Sequence, residues 1–159
     1  MTAQKTWTAG DVLTAADMNS YARGGQEMGY ILATSNTGDG SSITFAAATD
    51  VTGLTLTFTA ISSRVYEMEA FTNVVSSVSD DHLLVSITDS SNVVQKSAFG
   101  TIAKNGQSQA VICKARVTGI SGSVTYKVRI LRNAGTGFPQ VLGTGTFASY
   151  FTIKDVGAA

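Results

Sequence analysis

The chain has 159 residues, 43% of them apolar, with 11 Lys and Arg balanced by 11 Asp and Glu. Only 14% are charged, against about 25% in an ordinary soluble domain. No basic run exists, so the charge pattern excludes nucleic acid and anionic membrane as partners. No apolar stretch approaches the ~20 residues of a membrane-spanning helix, and the first residues lack a signal peptide's apolar core. Folding in a cytoplasm is the expectation, in keeping with a single cysteine, Cys113, and no metal-type Cys spacing.

Residues 1–27 read as an arm that does not share the periodicity of the remaining chain. Thr14 is placed as a helix N-cap with Asp17 at N3, and Leu13 and Met18 are spaced for a hydrophobic staple. The helix spans about residues 15–22, and Gly24-Gly25 ends it. A helix this short is marginal alone in water. Two readings stand: it caps one end of its own β-domain, or it docks on another protein through Trp7, Leu13, Met18 and Tyr21. Trp7 favours docking, because Trp is enriched at buried interface anchors.

From residue 28 to residue 159 the pattern is period-2. Strands are predicted at about 28–34, 54–59, 64–73, 82–88, 93–101, 108–117, 123–132 and 147–155, with a short addition at 43–45. Ser, Thr and Val are abundant, Gly occurs 16 times and Pro once. Eight or so short strands with such turns predict an all-β fold, a β-sandwich or jelly roll of antiparallel strands. Asn105-Gly106 predicts a type I′ hairpin turn.

Alternation assigns faces. Val111, Cys113, Ala115 and Val117 share one side of their strand, and Val124, Tyr126, Val128 and Ile130 one side of the next. Joined as a hairpin with Val117 opposite Val124, these strands would set Lys114 opposite Lys127, an unfavourable like-charge pair. Glu67 and Glu69 are the closely spaced glutamates available to offset it, within the sheet or across a subunit interface. In the last strand Phe147, Phe151 and Ile153 share one face and Tyr150 lies on the other. Bulk on both faces predicts a central strand or one buried between subunits.

Catalytic patterns are weak, and no enzyme is expected. The single histidine, His82, follows Asp80-Asp81 with no nucleophile elbow and no further ligands at metal spacing. Gly143-Thr144-Gly145-Thr146-Phe147-Ala148 formally fits a dinucleotide fingerprint, but leads into a strand rather than a helix. No cofactor or metal is expected. Cys113 reads as an inert buried thiol. The polar loops at 35–42, 76–81 and 134–146 could bind saccharides weakly but read rather as ordinary loops, with Phe138 the clearest aromatic among them.

Thr6-Trp7-Thr8-Ala9-Gly10-Asp11-Val12-Leu13-Thr14-Ala15-Ala16-Asp17-Met18-Asn19 resembles the N-terminal segment of many virion proteins from tailed phages of actinobacteria. There a Trp-x-x-Gly-x-x-Leu-Thr-Ala-x-x-Leu/Met-Asn pattern precedes a β-rich domain. The ending, Phe151-Thr152-Ile153-Lys154-Asp155-Val156-Gly157, is similar to a terminus frequent in the same proteins, with Lys154 where an acidic residue is usual. The middle resembles, in character only, the trimeric jelly-roll heads of C1q and tumour necrosis factor-like domains. The resemblance implies a non-enzymatic virion component assembled in the host cytoplasm: a homotrimeric capsid decoration protein or short spike, held to a major capsid or tail protein by its arm. The alternative it leaves is a minor tail or fibre protein that binds a receptor or a host-surface glycan.

Overall fold

The computed structural model describes residues 25–38 and 47–159. The expected arm helix, with Trp7, Leu13, Met18 and Tyr21, and the short strand at 43–45 lie outside the described residues. The described chain forms nine strands: β1 (Gln26–Leu32), β2 (Thr49–Ala60), β3 (Arg64–Val75), β4 (His82–Asp89), β5 (Val94–Thr101), β6 (Gln109–Val117), β7 (Gly122–Ala134), β8 (Gln140–Val141) and β9 (Tyr150–Ala158). One sheet runs β1-β9-β3-β6, with β8 on the end of β3, and the other runs β2-β7-β4-β5. All pairings are antiparallel. Most connections cross from one sheet to the other, and the β4–β5 hairpin is the long one kept within a sheet. This is the double-sheet, Greek-key order of a jelly roll, so the all-β sandwich expected from periodicity is the fold.

The core lies between the two sheets, where alternation sends every second side chain. Tyr66, Met68, Ala70, Phe151 and Ile153 come from the first sheet, and Leu54, Leu83, Val85, Ile87, Val128 and Ile130 from the second. Phe58 and Tyr66 meet across the gap with ring centroids 4.9 Å apart. Cys113 is buried among them as a free thiol, and burial pushes it above the usual thiol range. The inward faces read for β6 and β7 are the buried ones. β9 lies between β1 and β3, the central place that bulk on both its faces predicted. It begins at Tyr150; residues Gly145–Phe147 form a short 3-10 turn instead.

Two predicted hairpins are corrected. β6 and β7 belong to different sheets, β6 on β3 and β7 on β2 and β4. Lys114 and Lys127 therefore do not face each other. Both strands bury an apolar face, and a sandwich satisfies that as well from opposite sheets as from one. The segment around Asn105-Gly106 likewise carries the chain from one sheet to the other. Only Gly106 takes positive φ (70°), whereas a type I′ turn needs both residues there. The actual hairpin turn follows β4. The Asp89 carboxylate accepts the backbone N–H groups of Ser91 and Val93 at 2.9 Å, and Asn92 takes φ 68°.

Candidate functional site

Strand order places the outward side chains of the first sheet in rows that sequence separation hides. On β9, Lys154 is the Cα partner of Glu27 on one side and Glu67 on the other, and Glu67 partners Arg116. The next row is Tyr30, Thr152, Glu69 and Lys114. The third is Leu32, Tyr150, Phe71 and Ile112. One end of this face thus alternates in charge, and the other is apolar.

The apolar row is open to solvent: Leu32 is 46% exposed and Ile112 52%. Phe71 and Tyr150 lie almost parallel between them, centroids 5.2 Å apart at 10°. Tyr30, 51% exposed, leans on Tyr150 at 5.6 Å.

The carboxylates of β3 are held by cations of β6. Lys114 reaches Glu69 Oε2 at 2.6 Å, and Arg116 reaches Glu67 Oε2 at 2.8 Å. Lys127 lies in the other sheet, where its Nζ meets Asp50 Oδ2 at 2.7 Å and Arg129 meets Asp50 Oδ1. The four charges grouped from sequence thus divide: Glu67, Glu69 and Lys114 share a face, and Lys127 does not. What the sequence reading lacked was Asp50 as the partner of Lys127, because β2 was expected to begin only at residue 54.

Glu69 also accepts the Tyr150 hydroxyl at 2.7 Å. The Lys114 ammonium, then the Tyr150 hydroxyl, hold the Glu69 carboxyl below the usual range. In turn the carboxylate raises Lys114 and, with burial, pushes Tyr150 up to about 12. A carboxylate held ionised in this way stabilises its donors and is a poor proton donor.

Between the charged and aromatic rows lies a cavity of about 220 Å³. Thr152 lines it at the centre, Tyr30 and Tyr150 supply aromatic walls, and Glu27, Glu67, Glu69 and Lys154 supply charge. Thr152 is 8% exposed, and its hydroxyl has no hydrogen-bond partner among the described residues. Tyr30, Thr152 and the pairing of Glu27 with Lys154 escaped the sequence reading. The one signal was Tyr150, already placed on the outward face of its strand.

The loops are tied together. Buried Asp81 accepts the Ser76 hydroxyl and, at 3.1 Å, the Gly137 N–H, and Ser77 Oγ accepts the Phe138 N–H at 2.9 Å. These bonds lock segment 76–81 onto segment 134–138 and leave Phe138 half-buried. His82 stands exposed at the start of β4. Among the described residues no three His, Cys, Asp or Glu side chains cluster as metal ligands.

No family model matches the chain, and no curated protein matches it. Among solved structures, the chain is similar to the CBM22-1 xylan-binding domain of Paenibacillus barcinonensis Xyn10C. It is 13% identical, with TM-score 0.33, over 86% of this chain and 99% of that one. A likeness at this level carries no argument about this chain.

Proposed function

We propose that the chain is a non-enzymatic structural component of a bacteriophage virion, a decoration protein or short spike. The residues that precede β1 (Gln26–Leu32) anchor it, so that the arm stops short of residue 27, and its β-head self-associates as a trimer through the β1-β9-β3-β6 face. The observation that carries the association is the apolar row Leu32, Tyr150, Phe71 and Ile112, presented on the outer face of the sheet. An exposed contiguous apolar surface marks a contact site. The charges beside it are neutralised in place: Glu67 by Arg116 and Glu69 by Lys114. A face with no net charge meets a neighbouring copy without the repulsion that a single-sign face would suffer. The resemblance of the arm motif and the chain ending to virion proteins supplies the setting.

The test is the mass of the full chain in solution by light scattering. The expected value is three times the 16.5 kDa monomer. Leu32→Glu together with Ile112→Glu should return it to monomer with an unchanged circular dichroism spectrum. Removal of residues 1–24 should leave the head folded and trimeric but absent from assembled particles. A monomeric parent chain, or a truncated head that still joins particles, refutes the reading.

A further inference from the structure

We propose that Phe99, on the other sheet, is the second half of the contact between heads: it packs on the Ile112 end of the apolar row of the neighbouring copy. The inference rests on the trimer proposed above and names what that row meets. The first argument is symmetry. A two-fold axis sets a patch against its own copy, but a ring of three joins two different patches at every contact. The row Leu32, Tyr150, Phe71 and Ile112 therefore needs a complement elsewhere on the same chain.

The second argument is position. The second sheet has an outward apolar row of its own, Leu131, Leu84 and Phe99. Phe99 is the most exposed large apolar side chain among the described residues. It lies on β5, an edge strand of its sheet, and Ile112 lies on β6, an edge strand of the other. The two edges meet on one flank of the sandwich, where a Cβ on Gly100 would run into the Val111 side chain. β5 ends and β6 begins at the same end of the head, so Phe99 and Ile112 each lie one residue back from that meeting point. Alternation turns both outward, on opposite faces and at one height. They bracket a single narrow side of the head.

The third argument is closure. Three heads that turn this narrow side toward a common axis bring the Phe99 corner of each against the Ile112 corner of the next. Equal height lets rotation alone relate the copies, whereas unequal height would add a translation at each contact and build an open filament. A foreign partner would need only one corner; a matched pair on one flank suits a copy. Phe99 supplies the aromatic side chain typical of the buried centre of an interface. Lys114, the cation nearest Ile112 on its strand, is already held by Glu69.

The experiment measures mass by light scattering on the full chain. Phe99→Glu should lower it from three times to once the 16.5 kDa monomer, with an unchanged circular dichroism spectrum. Phe99→Leu should stay trimeric, as should Val94→Glu, an exposed apolar position at the other end of the head. Phe99→Glu keeps the row intact, and Leu32→Glu with Ile112→Glu keeps Phe99 intact. Mixed one to one at high concentration, each supplies the half the other lacks. They should form a complex of twice the monomer mass that grows no further. A trimeric parent whose Phe99→Glu variant is also trimeric overturns the role of Phe99 and leaves the proposed trimer standing. So does a mixture that never exceeds monomer mass. A monomeric parent overturns the trimer itself, and this contact with it.

Discussion

Asp155→Asn is expected to destabilise the fold more than any conservative surface change. Asp155 is 1% exposed on β9, and Arg64, 4% exposed, opens β3. The Arg64 Nε–H lies 3.0 Å from Asp155 Oδ1 and 2.8 Å from Oδ2, and the Gly157 N–H donates to Oδ1 at 3.0 Å. The pair therefore clamps the end of the last strand to the start of β3. Asparagine keeps the volume and one oxygen but removes the charge that faces the buried Arg64 guanidinium. Breaking such a pair costs about 3–5 kcal/mol. Coulomb's law agrees, giving about 4 kcal/mol for charge centres ~4 Å apart at an effective dielectric of about 20. Against a total stability of about 5–15 kcal/mol this is a large share. At roughly 2–4 °C per kcal/mol for a chain of this size, Tm should fall by about 6–20 °C. Thermal unfolding followed by circular dichroism measures it. The double variant Arg64→Met with Asp155→Leu replaces the pair with apolar groups and should recover most of the loss. If Asp155→Asn lowers Tm by less than about 2 °C, or the double variant is no better than the single, the clamp is not what holds β9.

Tyr150, pushed up to about 12 chiefly by the Glu69 carboxylate, should be a late tyrosine in an ultraviolet titration. Its folded pKa exceeds the ordinary value of about 10. Its contribution to stability is therefore complete below pH ~10 and lost as pH rises toward 12. Glu69→Gln should bring that midpoint back toward the ordinary value, and an unmoved midpoint would show that the carboxylate is not the cause. Gly143→Ala should destabilise by about 2–3 kcal/mol, because a Cβ there would press into the backbone carbonyl of Ser35. Chemical denaturation measures the loss, and a parent-like midpoint would mean that the two segments separate at little cost.

Strand existence and facing were legible in the sequence, whereas strand partnership was not. The alternation of Val111, Cys113, Ala115 and Val117 reports which side is buried. It is silent on whether the next strand lies beside it or across the core. Jelly-roll connections cross the sandwich, so the neighbours of β9 are β1 and β3, more than a hundred and about eighty residues away in the chain. The cavity is built from those three strands. Its carboxylates and Tyr150 could be marked on their strands, but their meeting over Thr152 could not. β2 begins earlier than expected for a local reason. Gly53, at φ 84°, sits within the register shift that separates the Asp50 and Thr55 pairings. Glycine inside a strand commonly marks a bulge, and here it masked the residues that hold Lys127 and Arg129.

The two outer faces share a direction. On the second sheet Leu84 partners Leu131 and Phe99, and Phe99 is 68% exposed. This row lies toward the end where β4 begins and β5 and β7 finish. The row Leu32, Tyr150, Phe71 and Ile112 lies toward that same end, beside the finish of β3 and the start of β6. Gln26, Arg64 and Ala158 mark the opposite end. The described chain thus enters the head at one end and exposes its apolar rows toward the other. An anchoring segment that precedes Gly25 would leave from that opposite end, where Ile61, Val93 and Val94 are also exposed, with the row Leu32, Tyr150, Phe71 and Ile112 set away from it. A head so arranged can associate with its copies without competing with its own anchor for the same surface. That separation is what the proposed contact between heads and the proposed anchoring of the preceding residues both require.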